Sequence, residues 1–289
     1  MNMSVAWDRL SSRFVRRDLH RTIGRFGTVR KTYSWWQRSL QRSQEYYYRS
    51  QLKLHETSIF ADISPEQYAQ ELRHRSVALG LQLPSSLVDC IHQFAVTNPL
   101  YEPGSAGEFS VDQIVAGRLP DHRLVMRGLV KDPHQCEAVE QVARDPMLMA
   151  IARDYLGYWP TQVTRHLTWT FVSPLSEAEQ RDRFLPLSYH YDVAGYNFMS
   201  AYFYITDMDR LSGAHVMIEN SHNRKPWHTL FAPWSGRQTD EQVLSYYGQE
   251  RELLIEGKAG LGFVQDPSCF HKLLPPVRHH RLIFQIRYA

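Results

Sequence analysis

The sequence predicts an α+β protein in which a helical layer precedes a β-sandwich or jelly roll. Residues 54–160 carry apolar residues at helical spacing between turn signals. Residues 161–289 instead contain short stretches in which apolar and polar residues alternate, rich in Val, Thr, Phe and Tyr. Because these stretches follow one another without alternating helices, we expect antiparallel rather than parallel strands.

The composition excludes several classes of protein. The 289 residues are 43% hydrophobic and 22% charged, which is typical of a globular chain. No apolar stretch reaches the length of a membrane-spanning helix, and we expect no signal peptide at the N-terminus. Cys90, Cys136 and Cys269 lie far apart without a CxxC pair, so we expect reduced thiols and a cytoplasmic protein.

Residues 1–53 form a distinct basic region. They contain twelve Lys and Arg but only three Asp and Glu, although the whole chain has a net charge of only +3. The region is predicted to be an amphipathic helix with an apolar stripe of Trp7, Leu10, Phe14, Ile23, Phe26 and Trp36. The stripe could pack on the main domain, lie on an anionic membrane surface, or belong to an organellar transit peptide. An apolar stripe has no use on a nucleic acid, so we expect no nucleic-acid partner.

The helical layer is predicted from four stretches of sequence. Ser64 as N-cap and Pro65 in the first turn predict a helix within residues 63–84. A second helix is predicted over residues 84–99, ended by Asn98 and Pro99, and further helical segments over residues 108–117 and 133–157. Gly157 is a candidate C-cap for the last of these.

The strands are predicted from the second half of the chain. A polar insert at residues 176–184 separates the first strand from the rest. The predicted strands cover residues 161–174, 188–193, 198–207, 214–220, 252–257, 260–266 and 281–289.

A histidine and an aspartate two residues apart mark the start of a possible metal site. If residues 188–193 form a strand, its period of two places His190 and Asp192 on one face. Such a pair carries little weight alone in a chain with 14 histidines. His271, at the end of a later predicted strand, could complete a set of two histidines and one carboxylate, which is typical of non-heme Fe(II) oxygenases. Arg281 opens the final strand, where its guanidinium could bind the carboxylate of a 2-oxo acid.

The order of these motifs resembles the phytanoyl-CoA dioxygenase family of Fe(II)/2-oxoglutarate-dependent oxygenases. The resemblance covers about residues 55–289 and rests on the segments "HYD", "TDMDRLSGAHVMIENSH", "GKAGLGFVQDPSCFH" and "RLIFQIRY". It implies a double-stranded β-helix (a cupin-like jelly roll) over residues 161–289, behind the helical layer. It also implies Fe(II), 2-oxoglutarate and O2 as cofactor and cosubstrates, and hydroxylation of an aliphatic carbon. The substrate would be a small molecule, either lipid-like or a biosynthetic intermediate.

The same resemblance implies roles for individual residues. His190, Asp192 and His271 would bind the metal, Arg281 would bind 2-oxoglutarate, and Tyr196 would pack near that cosubstrate. Because Asp192 would occupy a ligand position on the metal, the resemblance argues against halogenation as the reaction at this site. The sequence departs from the family pattern at Asn220, which replaces a glycine, at Ser173–Pro174 and at Leu273. The loop before Arg281 is also about one residue short, which leaves Arg278 and Arg287 as competitors for the cosubstrate.

Two other functions remain open from the sequence. The β-sandwich could be a non-catalytic binding module whose basic N-terminus contacts a membrane or partner. It could also be a metal-dependent cupin isomerase, which would need neither Arg281 nor O2. Cys269 is expected to be a buried, inert thiol. The remaining histidines of interest are expected to be structural or at the surface; they are His166, His215, His222, His279 and His280.

Overall fold

The structure is a computed structural model that describes residues 23–44, 50, 58–231 and 237–289. The helices in these ranges are α1 Gly27–Leu40, α2 Pro65–Arg75, α3 Ser85–Thr97, α4 Glu137–Ala143, α5 Pro146–Leu156, α6 Glu177–Arg183, α7 Trp227–Phe231 and α8 Asp240–Tyr247. In the part of the chain so described, no helix has both the length and the apolar character needed to cross a bilayer.

Two antiparallel sheets hold the strands. The strands are β1 Val77–Gln82, β2 Leu100–Tyr101, β3 Glu108–Phe109, β4 Arg127–Val130, β5 Val163–Thr170, β6 Met199–Tyr204, β7 His215–Ile218, β8 Glu252–Ile255, β9 Leu261–Gln265, β10 His271–Leu273 and β11 Arg281–Tyr288. The large sheet has the strand order β1-β9-β6-β11-β5-β4-β2-β3, and the small sheet has the order β10-β7-β8. The predicted mixed fold of helices and antiparallel sheet is confirmed.

The large sheet separates two apolar cores. On its outer face Phe203 and Phe284 pack with helix residues such as Leu72 and Leu148. On its inner face Tyr204, Phe263 and Ile283 pack with residues of the small sheet, among them Met217 and Ile255. Both faces of the large sheet are therefore covered around its centre, which fixes the register of its strands.

Strand β11 carries polar residues on the inner face only. Leu282, Phe284, Ile286 and Tyr288 belong to the outer, helix-side core. By the period of two, Arg281, Gln285 and Arg287 point to the opposite face with Ile283. Strand β11 is apolar on one side and carries two arginines on the other. This pattern indicates that the inner face has a role in addition to hydrophobic packing.

Several of the predicted helix boundaries are confirmed. The side chain of Ser64 accepts a hydrogen bond from the Gln67 N–H at the start of α2. Helix α3 ends at Thr97, before Asn98. Gly157 follows α5 with φ 82°, the left-handed conformation of a C-cap.

The predicted helical layer is wrong in two places. Helix α2 ends at Arg75 because Ser76 adopts φ 71°, and residues 77–82 form strand β1, paired with β9. Residues 108–117, predicted to be helical, contain strand β3 and a short 3-10 turn at Val111–Gln113. Strands β2 and β4 were not predicted. A short apolar run is compatible with either a strand or a buried helix. Here each segment forms a strand because it can pair with an edge of the large sheet.

The predicted strand at residues 188–193 is also wrong. Only Tyr189 and His190 make isolated bridges, to Gln238 and His271. The polar insert is helix α6, which begins with a capping box between Ser176 and Glu179. Helices α7 and α8 were not predicted either.

Only part of the prediction for residues 1–53 can be compared with the structure. Helix α1 occupies Gly27–Leu40 of the predicted helical region. Residues 1–22, and with them Trp7, Leu10 and Phe14, lie outside the described residues, as does the predicted domain boundary between residues 53 and 54.

Candidate metal centre

His190, Asp192 and His271 meet at one point between the two sheets. One ligand atom from each residue lies within 4.8 Å of the others. The bridge between His190 and His271 brings the histidines together: each backbone N–H donates to the other residue's carbonyl, at 3.0 and 2.8 Å. The Asp192 N–H donates to the carbonyl of Pro267 at 2.8 Å, which ties the carboxylate to the same turn.

The hydrogen bonds of the two histidines leave one nitrogen of each ring free to bind a metal. His190 Nδ1–H donates to the carbonyl of Ser188, and His271 Nδ1–H donates to that of Cys269, both at 2.9 Å. A carbonyl can only accept, so Nε2 keeps its lone pair in both rings. Burial, with His190 alongside, lowers the pKa of His271 to about 4, so this imidazole is neutral at physiological pH. Neutral imidazoles oriented by backbone carbonyls are the form that binds metals.

Asp192 completes the donor set on the more open side of the centre. Its Oδ2 lies 3.4 Å from Arg287 Nη2, and both side chains are partly exposed. Arg287 therefore helps to orient the carboxylate without enclosing it. Two imidazole nitrogens and one carboxylate oxygen fit non-heme Fe(II), and three protein ligands leave positions on the metal for other groups.

Arg281 is a buried cation that no carboxylate of the described residues pairs with. Its side chain is only 2% exposed. Within the described ranges Nε has no hydrogen-bond partner, and Nη1 reaches only Thr170 Oγ1, at 3.5 Å. Burial lowers the pKa of Arg281 to about 10, although Tyr204 and Tyr202 act in the opposite direction. A buried charge normally has a partner, so this arrangement fits an anion that binds from outside the chain.

His215 lies on the inner face beside the metal-site histidines. Its ring stacks on that of His271 at a centroid distance of 5.4 Å and an interplanar angle of 16°, and it lies 5.5 Å from the ring of Tyr202. Neither ring nitrogen has a hydrogen-bond partner among the described residues, although the side chain is buried. From the sequence this histidine was expected to be structural or at the surface. Its inward position could have been read from the alternation of β7, where His215 and Met217 share a face.

The other residues considered for the cosubstrate have partners within the chain. Arg278 is exposed and pairs with Asp209 at 2.9 Å, and Arg287 contacts Asp192. The ring of Tyr196 lies 5.0 Å from that of Tyr33 on α1. Of the three arginines, only Arg281 is both buried and on the inner face.

The other histidines singled out in the sequence, and Cys269, take no part in the cluster of metal ligands. His222 contacts Ser76 Oγ through Nδ1 at 2.6 Å, His279 contacts the carbonyl of Asp207, and His280 Nδ1 accepts from the Val172 N–H. His166 lies on β5 opposite Gln285. Burial raises the pKa of the Cys269 thiol to about 12, which keeps it protonated and unreactive.

The comparisons with known proteins support the fold. No protein-family model matches the sequence, and no curated protein matches it. The crystal structure of the epimerase SnoN in complex with Fe3+, alpha ketoglutarate and nogalamycin RO is similar to it, with a TM-score of 0.51 and 13% identity over 78% of this chain and 83% of SnoN. The carbocyclase SnoK from nogalamycin biosynthesis gives a TM-score of 0.50 and 14% identity over 78% of this chain and 84% of SnoK. SnoN and SnoK are both described as non-heme, alpha ketoglutarate dependent enzymes. This chain therefore shares the helix and antiparallel-sheet fold of enzymes of that kind.

Proposed function

We propose that the protein is an Fe(II)- and 2-oxoglutarate-dependent oxygenase built on a double-stranded β-helix. The observation that carries the proposal is the His190, Asp192 and His271 cluster between the two sheets, combined with Arg281 on the inner face of the large sheet, which is buried and has no carboxylate partner among the described residues. A metal site alone would fit many enzymes. A metal site beside a buried guanidinium that needs an anion fits a dicarboxylate cosubstrate. The complex of SnoN with Fe3+ and alpha ketoglutarate shows that the fold accommodates both groups.

Each residue has a distinct task in this proposal. His190, Asp192 and His271 hold the iron, and Arg281, with the Thr170 hydroxyl beside it, binds the distal carboxylate of 2-oxoglutarate. The bound iron and 2-oxoglutarate together supply an O2-dependent oxidation that releases succinate and CO2. Arg287 holds Asp192 in place. Because Asp192 fills a ligand position, the site favours hydroxylation of an aliphatic carbon over transfer of a halide.

The metal-ligand cluster and Arg281 together also argue against the two alternative functions. A non-catalytic binding module has no need for three convergent metal ligands, and a cupin isomerase has no need for Arg281. SnoN is an epimerase and SnoK a carbocyclase, so enzymes of this fold have reaction outcomes other than hydroxylation. Epimerisation and ring closure are therefore the competing outcomes for this chain, with the same metal and cosubstrate.

The wall next to Asp192 favours a polar substrate. On the inner face of β5, Thr164 is exposed and His166 and Thr168 are partly exposed. They lie opposite Arg287, Gln285 and Ile283 of β11 in the antiparallel register. Hydroxyl, imidazole and amide groups bind a substrate rich in hydroxyl or carbonyl groups better than an acyl chain. We therefore propose a polar biosynthetic intermediate as substrate rather than a lipid-like one.

Succinate formation tests the proposal directly. The purified protein with Fe(II), O2 and 2-oxoglutarate is expected to release succinate slowly alone, and faster with a polar member of a panel of glycosides, polyketides and acyl thioesters. Metal-free protein in chelator is the control. A protein that binds Co(II) but neither binds nor consumes 2-oxoglutarate would favour the isomerase. Stimulation by acyl thioesters alone would restore the lipid-like substrate.

The outward face of α1 supports contact with an anionic lipid surface. Trp35, Trp36 and Leu40 are 68%, 49% and 57% exposed, and the exposed side chains of Lys31 and Arg38 lie on the same helix. Exposed tryptophans beside cations are typical of helices that lie at a membrane interface, where each cation contributes about 1 kcal/mol. The other side of α1 packs on the domain, so the helix can pack there and contact a lipid surface at the same time.

Vesicle sedimentation tests this contact. We expect the full-length protein to bind anionic vesicles at low salt and less at physiological salt, because charge attraction is screened. Trp35→Ala/Trp36→Ala is expected to weaken binding several-fold, whereas Tyr101→Ala, at an exposed aromatic on another face, leaves it unchanged. If the full-length protein ignores anionic vesicles even at low salt, the helix serves packing alone.

A further inference from the structure

One arginine of the basic N-terminal region lies in the interior of the domain. Arg30, in the second turn of α1, pairs through Nη2 with Asp266 Oδ2 at 2.8 Å, and the Asp266 side chain is fully buried. The hydroxyl of Tyr155 donates to the same oxygen. Burial alone would raise the pKa of Asp266, but Arg30, His222 and the Tyr155 hydroxyl together hold that pKa well below its usual range.

The guanidinium of Arg30 also binds two other side chains. Nε and Nη2 donate to Asn197 Oδ1 at 3.0 and 2.8 Å, and Nη1 donates to Ser268 Oγ at 2.6 Å. Arg30, Asn197, Asp266 and Ser268 are called the Arg30 cluster below. The planar guanidinium thus joins two loops that are far apart in the sequence, which a lysine at this position could do only in part.

These two loops adjoin two of the metal ligands, Asp192 and His271. Asn197 lies five residues after Asp192. The Asp192 N–H donates to the carbonyl of Pro267, which stands between the two cluster residues Asp266 and Ser268. The turn continues through Cys269, whose N–H donates to the Asp266 carbonyl and whose own carbonyl accepts from His271 Nδ1–H. Hydrogen bonds and short stretches of intervening backbone therefore connect Arg30, through the turn at residues 266–269, to Asp192 on one side and to His271 on the other.

We propose that Arg30 is a positioning residue for the metal centre, so that α1 is needed for metal affinity although it lies outside the jelly-roll core. The inference rests on the proposed metal site. The hydrogen bonds and ion pair of Arg30 go to residues that neighbour the metal ligands in the chain, not to the ligands themselves. It fixes the turn at residues 266–269 against the loop after Asp192, which sets the spacing between the carboxylate and the His271 ring. Groups that orient metal ligands typically change metal affinity by roughly 10- to 100-fold.

Cobalt titration of matched variants tests this role. Co(II) is the probe because its visible bands report both affinity and ligand geometry. Arg30→Met is expected to bind Co(II) roughly 10- to 100-fold more weakly than the wild type, with altered bands, and Arg30→Lys to fall between the two. The control is Arg38→Met, an exposed arginine of the same helix, which should leave affinity unchanged.

A double variant separates positioning from stability. Arg30→Met leaves the Asp266 carboxylate buried without its cation, so this variant is expected to melt at a lower temperature. Arg30→Met/Asp266→Asn removes both charges. We expect it to regain most of the melting temperature while Co(II) binding stays weak, because the Asn197 and Ser268 contacts are still absent.

The outcomes distinguish this inference from the proposed function. If wild-type protein binds no Co(II), the metal site itself is wrong, and the inference falls with it. If the wild type binds Co(II) and the folded double variant binds it equally well with unchanged bands, only the role of Arg30 is overturned.

Discussion

Replacing His271 with alanine is expected to abolish metal binding and succinate formation while the chain remains folded. The substitution removes one of three protein ligands. Loss of a group that merely orients a ligand typically costs up to about 100-fold in affinity, so loss of the ligand should cost more. The fold should survive because the rings of His190 and His215 still pack at the site, and His271 forms no ion pair with any described residue. His190→Ala and Asp192→Ala are expected to behave alike.

The measurement is Co(II) affinity together with 2-oxoglutarate-dependent succinate release. Circular dichroism before and after heating shows whether each variant folds. His134→Ala, which changes an exposed histidine away from the cluster, is the matched control. If His271→Ala kept wild-type affinity, the third ligand would have to be another group. His215 would be the first to test, because its ring lies 5.4 Å from that of His271.

The parts of the fold that the sequence predicts well are those in which one local signal decides. Strand β11 alternates over its whole length between an apolar side and the side of Arg281, Gln285 and Arg287, so only one register buries it correctly. Ser64 and Gly157 mark helix ends because a cap satisfies backbone groups within one turn. These signals need no knowledge of the rest of the chain.

The parts that the sequence predicts poorly depend on distant partners. Residues 77–82 become strand β1 because β9, almost two hundred residues later, offers an edge to pair with. The reasoning that placed His190 and Asp192 on one strand used the wrong local structure. The residues come together instead because His190 bridges His271 and Asp192 bonds Pro267. The pattern pointed to residues that do lie together, but for a reason that does not apply in the structure.

The role of Arg30 was also not predicted from the sequence, because its charged partner is distant in the chain. In the sequence Arg30 is one of twelve basic residues within residues 1–53. The ordinary interpretation of such a region is that its charged side chains are exposed to solvent. Its partner Asp266 lies in another part of the chain, and nothing local distinguishes this arginine from Arg38 on the same helix. Arg281 differs because its position at the start of a predicted inner-face strand already suggested a role.

Replacing Arg281 with lysine is expected to weaken 2-oxoglutarate binding without affecting metal binding. Arg281→Lys keeps the charge but loses the planar pair of donors, and a hydrogen bond to a charged group contributes roughly 1.5–3 kcal/mol. The apparent KM for 2-oxoglutarate should therefore rise by about 10- to 100-fold, since each 1.4 kcal/mol is a factor of ten. Co(II) affinity should stay at the wild-type value because Arg281 is not among the three clustered ligands. Calorimetric titration of 2-oxoglutarate into Zn(II)-loaded protein measures binding apart from turnover.

Two neighbouring arginines serve as controls for that experiment. Arg278→Lys, at the exposed partner of Asp209, should change neither binding constant. Arg287→Lys should weaken Co(II) rather than 2-oxoglutarate, because Arg287 contacts Asp192. An unchanged KM in Arg281→Lys with a raised KM in Arg287→Lys would move the cosubstrate role to Arg287.

The stability of the cosubstrate-free protein gives a second test of Arg281. A structural arginine stabilises the fold, and its replacement by methionine would lower the free energy of unfolding. An arginine kept for an external anion leaves a buried donor unsatisfied until that anion binds, at a cost of about 1–3 kcal/mol. Arg281→Met is therefore expected to unfold in urea at an equal or higher denaturant concentration than the wild type. Added 2-oxoglutarate should stabilise Zn(II)-loaded wild type but not Zn(II)-loaded Arg281→Met, because a ligand stabilises only the protein that binds it. A destabilised Arg281→Met that still responds to 2-oxoglutarate would mean that the buried guanidinium belongs to the core and not to the site.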